Sequence, residues 1–217
     1  MDLRAWLRTL PTFDRDQVAG LDVAAAPEDP AALHLSWIEE AAATGTPAPH
    51  AVVLATADGS GVVSARTLIL KDISDGDWVI ATSAESPKAR DLAENPRAAL
   101  TSFWCALGRQ VRVSGAVRDL GDEVGAADYL ARPAGSRAAA RTGRQSEPLD
   151  SIETYDRAYA EALAAVQNHP DQVPGTWRCY AIEARTVEFW AARAEGGQVR
   201  LRYTRREDGW EKGLVWP

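Results

Sequence analysis

Short strand-like runs separated by glycine- and aspartate-rich turns most constrain what this chain can fold into. Between residues 51 and 83 the sequence reads AVVLATA, DGSG, VVSARTLILKDI, SDGD and WVIATS. β-Branched and aliphatic residues dominate the runs, and the turn sequences favour tight reversals. This pattern is typical of an antiparallel meander. Further strands are predicted in AALTSFWCAL, RQVRVSGAVRDL, WRCYAIEARTVEFWAA, QVRLRYTRR and WEKGLVWP.

Helix signals stand between these strands. Asp29 and Ser86 are predicted N-caps, and each is followed by a proline at the first helical position. Gly45 and Pro96 are expected to end these two helices. Two further helices are predicted over residues 122–130 and 152–168. Six to eight antiparallel strands with a few helices predict an α+β protein built on a β-barrel.

Composition bounds the class of protein. The 217 residues are 46% hydrophobic and 25% charged, as in ordinary globular proteins. We expect an N-terminal extension over residues 1–28 and a single domain over residues 29–217. No apolar run has the length of a membrane span. The first residues, MDLR, do not resemble the apolar core of a signal peptide. We therefore expect a cytoplasmic protein without a membrane partner. The net charge of −7 argues against nucleic-acid binding.

The cysteines and histidines give little chemistry. Cys105 and Cys179 lie far apart with no CxxC motif, which favours two buried thiols, although a disulfide stays open. His34, His50 and His169 show no metal-ligand spacing, so no metal site is expected.

Three stretches indicate an anionic ligand. Arg66 and Lys71 flank the apolar strand SARTLILKD and, five residues apart, point to opposite faces of a regular strand. The helix that starts at Ser86 presents free backbone N–H groups, with Lys88 in its first turn. The third stretch, LGRQVRVSG, carries Arg109, Gln110 and Arg112. Each stretch has an ordinary structural explanation in solvated charge, a helix cap or a surface strand.

The aromatic residues leave two explanations open. Among eight tryptophans, Trp104 and Trp190 flank basic segments, where they would either stack on a planar ligand or pack in the core. The chain has no GxSxG elbow, no Walker loop and no GxGxxG after a strand. The residues alone therefore predict a barrel-like protein that binds a phosphorylated, planar ligand, and they identify no catalytic residue.

Five segments carry a resemblance to a known family. They are RTLILK, TSAESPKARDLAENPRAAL, FWCALGRQVRVSG, ARPAGSRAAARTGRQSEPL and VEFWAARAEGGQVRLRY. In this order and spacing, from about residue 30 to the C-terminus, the chain resembles the pyridoxamine 5'-phosphate oxidase family of FMN-binding flavoproteins. The resemblance implies an antiparallel split β-barrel with surrounding helices. It also implies a homodimer with two FMN molecules at the subunit interface, each touched by both chains.

The resemblance implies site residues position by position. The implied cofactor-binding residues are Arg66, Thr67, Leu68, Ile69, Lys71, Ala81, Thr82, Ser86, Lys88, Gln110, Gln145, Ser146, Trp190 and Arg200. The implied substrate-binding residues are Lys71, Arg132, Ser136 and Gln198. Pro87 stands where the family often has an arginine beside the lysine of the helix start, which removes one charge-assisted contact to phosphate.

The substrate positions depart further from the family pattern. Gly196 and Gln198 replace the arginine and histidine of the family's R-L-H-D-R run. Asp128 falls where the tyrosine of a Tyr-x-x-x-Arg-Pro segment belongs, and whether Tyr129 takes that role stays open. The ending GLVWP also differs from the usual R-L-x-P. Each charge-assisted hydrogen bond lost at a substrate phosphate costs about 1.5–3 kcal/mol of binding.

The resemblance therefore implies an FMN-dependent oxidase that passes a hydride from a small cyclic substrate to FMN, with O₂ as acceptor. Lys71 and Arg132 are expected to position that substrate. The departures favour a changed substrate, as in the phenazine-biosynthesis oxidases of this fold. Genuine oxidation of pyridoxine or pyridoxamine 5'-phosphate and a non-catalytic flavin-binding role remain the alternatives.

Overall fold

The computed structural model describes the whole chain, Met1–Pro217. It contains eight strands: β1 Ala51–Ala57, β2 Val63–Ser74, β3 Asp77–Ser83, β4 Arg97–Trp104, β5 Arg109–Asp119, β6 Trp177–Ala192, β7 Gln198–Arg206 and β8 Gly209–Leu214. Its helices are α1 Leu3–Thr9, α2 Pro30–Ala43, α3 Pro87–Glu94, α4 Gly121–Ala131, α5 Ala134–Arg141 and α6 Ile152–Asn168.

The strands pair in the order β3-β2-β1-β4-β5-β6-β7-β8, and β3 also pairs with β6. This additional antiparallel pairing joins Asp77–Ser83 to Trp177–Glu183 and closes six strands into a barrel. β7 and β8 continue the sheet beyond β6 through two further antiparallel pairings. The predicted α+β split β-barrel is confirmed.

Helix starts follow the predicted caps. The Asp29 carboxylate accepts a hydrogen bond from the Ala31 backbone N–H at 2.9 Å, and Pro30 begins α2. Ser86 Oγ accepts one from the Ala89 N–H at 3.3 Å, with Pro87 beginning α3. The sequence did not predict α1 or α5.

The chain divides into two compact units. Unit 1 comprises Met1–Val53, Leu100–Ser114 and Ala184–Pro217. Its core is aromatic: the Trp37 ring lies 5.1 Å from the Phe189 ring and 6.3 Å from the Trp104 ring, measured between centroids. Trp104 is buried and donates from Nε1 to the Pro49 carbonyl at 2.9 Å, so it packs in the core.

Unit 2 comprises Leu54–Ala99 and Gly115–Glu183. Trp78, Ile80 and Ile182 are fully buried on the paired strands β3 and β6. The register of β2 against β3 shifts between Leu70 and Asp72. Lys71 therefore sits at a bulge, an irregularity that re-aims a side chain relative to a regular strand.

Both cysteines are free, and Cys105 is exposed, so the expectation of two buried thiols is correct for Cys179 alone. None of the helices is both long and apolar enough to cross a membrane.

Candidate functional site

A cavity of about 810 Å³ lies in unit 2. It is lined by the following predicted site residues: Leu68, Ile69, Lys71, Ala81, Thr82, Lys88, Arg132, Ser136, Gln145 and Ser146. Strands β2 and β3, the start of α3, the link between α4 and α5, helix α5 and the loop after α5 supply these side chains. The fold therefore brings the strand, helix-start and loop segments, distant in sequence, to one cavity.

Lys88 marks one end of this cavity. Its side chain is only 4% exposed, and Nζ donates to Thr82 Oγ1 at 3.1 Å. Ser86 is fully buried beside it, with Oγ 3.3 Å from Thr82 Oγ1. Burial lowers the pKa of Lys88 to about 8, the positive charge of Arg66 adds to this effect, and Asp91 opposes it.

Arg66 lies outside the cavity lining, close to Lys88. Its Nη1 donates to Thr56 Oγ1 at 2.7 Å, and Nη2 lies 3.8 Å from Asp91 Oδ2. The same Asp91 oxygen accepts a hydrogen bond from Thr56 Oγ1 at 2.6 Å. Burial lowers the pKa of Arg66, and Asp91 opposes this change. Thr67 is exposed and Ser86 is buried, and neither of them lines the cavity.

The Lys88 end fits the phosphate of FMN. A buried ammonium whose pKa is lowered by desolvation is stabilised when an anion binds beside it. The N-terminus of α3 adds a favourable helix dipole near Lys88, although Pro87 has no N–H and the Ala89 N–H is already bonded to Ser86. The donor set is therefore suited to a phosphate group, although Asp91 withholds part of the charge of Arg66.

Lys71 and Arg132 mark a second charged region of the cavity wall. Lys71 Nζ lies 3.3 Å from Asp128 Oδ1, and Asp128 Oδ2 accepts a hydrogen bond from Trp177 Nε1 at 2.8 Å. The Arg132 guanidinium lies over the Trp177 ring, 4.2 Å from its centroid. Arg132 Nη1 is buried and has no hydrogen-bond partner. Burial lowers the pKa of Arg132, an effect that Asp128 and Tyr129 oppose.

Tyr129 does not line the cavity. Its side chain is fully buried, and its hydroxyl donates to the Arg137 carbonyl at 3.1 Å. Tyr129 therefore has a structural role between α4 and α5, and Asp128 is the residue that contacts Lys71.

The remaining predicted residues belong to unit 1: Gln110, Trp190, Gln198 and Arg200. Trp190 Nε1 donates to Gln198 Oε1, and both side chains line a separate cavity of about 500 Å³ in that unit. Arg200 donates to Glu188 from Nε at 3.1 Å and to the Trp216 carbonyl from Nη1 at 3.1 Å. Gln110 is half-buried on β5.

Arg109 and Arg112 turn out to serve the framework of unit 1. Arg109 is 6% exposed, lies over the Trp37 ring and pairs with Glu40 at 2.6 Å. Arg112 Nη1 lies 3.7 Å from Glu188 Oε1. The basic stretch that indicated an anion site therefore contributes only Gln110 as a candidate ligand-binding residue.

Several residues that line the cavity were not predicted from the sequence. Trp177, Thr154 and Tyr155 line the cavity, as does the whole loop over residues 142–149, of which only Gln145 and Ser146 were predicted. Trp177 opens a strand and gave no signal of its own. The displaced tyrosine of DYLARP was the one sequence feature that pointed to Asp128.

Comparisons with known proteins agree over most of the chain. Residues 38–166 match the family model described as pyridoxamine 5'-phosphate oxidase. Residues 177–217 match the pyridoxine 5'-phosphate oxidase C-terminal dimerisation region. The pyridoxine/pyridoxamine 5'-phosphate oxidase of Rubrobacter xylanophilus is 37% identical over 92% of this chain and 92% of its own length. The enzyme of the same name from Anaeromyxobacter dehalogenans is 39% identical over 91% of this chain and 99% of its own.

Solved structures show the same fold. PhzG from Burkholderia lata 383, in complex with tetrahydrophenazine-1-carboxylic acid, superposes with a TM-score of 0.84 at 27% identity, over 93% of this chain and 100% of that one. An FMN-binding, pyridoxamine 5'-phosphate oxidase-related protein from Nostoc punctiforme superposes with a TM-score of 0.70 at 16% identity, over 87% of this chain and 98% of that one. With two family matches and curated relatives above 30% identity, the chain belongs to the pyridoxamine 5'-phosphate oxidase family of FMN-dependent oxidoreductases.

Proposed function

We propose that this protein is an FMN-dependent oxidase that acts on a small cyclic substrate other than a pyridoxine phosphate. The observation that carries the proposal is the cavity of about 810 Å³ with two charged regions. Buried Lys88 suits the phosphate of the cofactor, and Lys71 with Arg132 suits the substrate. When bound, FMN supplies a two-electron acceptor for the hydride of the substrate, and O₂ takes up those electrons to give peroxide.

The cofactor contacts are proposed from the cavity outward. Lys88, Thr82 and the start of α3 would hold the phosphate, with Arg66 adding charge from behind. The β2 backbone over residues 67–69 and the side chains of Gln145 and Ser146 would border the flavin ring. Gln110, Trp190 and Arg200 are proposed to contact a flavin at the interface of a homodimer. The match of residues 177–217 to a dimerisation region supports that assembly.

The substrate proposal depends on three departures. Asp128 places a carboxylate beside Lys71, and Gly196 and Gln198 lack the positive charge of an arginine or histidine. Each change weakens the attraction for a phosphate ester. In PhzG the bound molecule is instead a carboxylic acid, tetrahydrophenazine-1-carboxylic acid.

The second candidate is oxidation of pyridoxine or pyridoxamine 5'-phosphate. The names of the curated relatives favour it, at 37–39% identity over nearly the full chain. Lys71, Arg132 and Ser136 are also retained in the cavity wall.

Two measurements separate these functions from each other and from a non-catalytic role. FMN added to purified protein should give a perturbed visible spectrum, and its absence would end the flavin proposal. Oxygen consumption with pyridoxine and pyridoxamine phosphates should stay near background, while a panel of cyclic amines and carboxylic acids should contain a substrate. Rapid turnover of the two phosphates would establish the second candidate, and no turnover with any compound would favour the non-catalytic role.

The substitution Gln198→His tests the account of the lost substrate contact. It should raise activity on pyridoxine 5'-phosphate about tenfold, since one charge-assisted bond is worth about 1.5 kcal/mol. Restoring arginine at position 196 is a poorer test because its backbone φ of +102° favours glycine. Gln167→His, on the exposed face of α6, is the matched control and should change nothing.

A further inference from the structure

Lys71 lines two neighbouring cavities and pairs with the carboxylate of Asp128. Lys71 lines the cavity of about 810 Å³ and also a neighbouring one of about 370 Å³. Asp128 lines only the smaller cavity, yet its two oxygens contact two wall residues of the larger one: Lys71 Nζ at 3.3 Å and Trp177 Nε1 at 2.8 Å. The Asp128 side chain is 16% exposed, so water screens its charge only in part.

The charged side chains at this end of the cavity sum to a small net positive charge. Lys71 and Arg132 each carry one positive charge, and Asp128 offsets one of them. Arg144 and Glu147 also line the cavity but pair with each other at 2.9 Å. A phosphate monoester carries nearly two negative charges at neutral pH, whereas a carboxylate carries one.

Arg132 is the group at this end with unused hydrogen-bonding capacity. Its guanidinium is fixed against the Trp177 ring, and its buried Nη1 lacks a partner. A planar guanidinium held in one orientation matches a carboxylate through two parallel hydrogen bonds. Ser136, in the first turn of α5, lines the same cavity and can add a hydroxyl donor.

We propose that Asp128, acting through Lys71, makes this end of the cavity select a ring compound with one carboxylate over the corresponding phosphate monoester. Asp128 is thus a specificity-determining positioning residue, and Arg132 is the direct carboxylate contact. The inference rests on the proposed function, because it takes this region of the cavity to be the substrate end.

The test compares two ligands that share a ring. Dissociation constants of benzoate and phenyl phosphate are measured for the FMN-loaded protein at pH 7.5, by calorimetry and by perturbation of the flavin spectrum. Wild-type protein should bind benzoate at least about tenfold more tightly. Asp128→Asn, which keeps an oxygen for Trp177, should shift the ratio about tenfold towards phenyl phosphate, because one nearby negative charge is removed. Glu123→Gln, an equal change of charge on the exposed start of α4, should leave the ratio unchanged.

A second measurement needs no variant. Lowering the pH from 7.5 to 5.5 adds a proton to most phenyl phosphate while benzoate stays ionised, so the wild-type preference should narrow. Tighter binding of phenyl phosphate by the wild type, an unmoved ratio in Asp128→Asn, or binding of neither probe would overturn the inference. If the protein takes up no FMN, the proposed function fails separately, and the same calorimetry on flavin-free protein still decides the ligand preference.

Discussion

Residues 128 and 129 show how a displacement by one position in a helix reassigns two side chains. Successive helical residues are rotated by about 100°, so neighbours face different surroundings. Tyr129 points into the core of unit 2 and donates to the Arg137 carbonyl. Asp128 points to Lys71 and Trp177. A carboxylate therefore stands where the family resemblance leads one to expect a phenol.

The buried Lys88 side chain predicts how FMN binding depends on pH. Its lowered pKa of about 8 means that FMN binding above that pH must take up a proton. The dissociation constant for FMN should therefore be nearly constant from pH 6.5 to 7.5 and rise by up to about tenfold per unit above pH 8. Fluorescence titration of FMN across this range measures it.

The variant Lys88→Met separates this lysine from other titrating groups. It should bind FMN more weakly at pH 7 and lose the dependence above pH 8. Relative to Lys88→Met, flavin-free wild type should also gain stability as pH rises from about 8 towards 10.5, because the unfolded chain binds the Lys88 proton more tightly than the folded chain does. An unchanged pH profile in Lys88→Met would show that another group is responsible.

Among the elements, α4 and the start of β6 hold Asp128 in place. A Cβ atom at Gly125 would lie 2.7 Å from the Trp177 carbonyl oxygen, so only glycine permits this close approach. The same approach brings Asp128 to the Trp177 indole. Gly125 therefore helps to position Asp128 beside Lys71.

Replacing Gly125 with alanine should force α4 away from β6. We expect the free energy of unfolding to fall by about 1–3 kcal/mol, as for other overpacked contacts, measured by urea denaturation. Gly175→Ala is the matched control, because an added Cβ there meets nothing within 4 Å. Equal stability of the two variants would mean that α4 tolerates the shift.

Elements with local signals were predictable from the sequence, and those without were not. Asp29 and Ser86, each followed by proline, marked the starts of α2 and α3 correctly. Helix α5 was missed although its sequence, AGSRAAAR, is rich in good helix formers. No capping residue marks its start, and its packing against α6, distant from any local signal, favours the helix.

For the whole molecule, the features that could not be predicted from the sequence are contacts between residues that are distant in the chain. The β3–β6 pairing that closes the barrel has no local signature. The contacts Lys71–Asp128 and Arg66–Asp91 also arise only once the chain is folded. Family resemblance supplied the barrel and the residue positions, and the structure added the carboxylates that balance both cations of β2.

Exposed apolar side chains in unit 1 predict that the protein forms a homodimer. Large apolar side chains are exposed at Phe103 (53%), Leu214 (66%) and Trp216 (92%). Burial of such side chains is a common driving force for stable homodimers. Sedimentation equilibrium should therefore give twice the chain mass of 23.4 kDa at micromolar concentration. A monomer under these conditions would remove the basis for assigning Gln110, Trp190 and Arg200 to a flavin at the interface.

The buried Lys88 end of the cavity is expected to bind the phosphate of FMN. The most direct measurement compares the dissociation constants of FMN and riboflavin, which differ only in that phosphate, for wild type and Lys88→Met at pH 7. Wild type should bind FMN about a hundredfold more tightly, equivalent to about 2.7 kcal/mol, and Lys88→Met should lose most of this difference. Equal affinity of wild type for FMN and riboflavin would contradict the assignment of this end of the cavity.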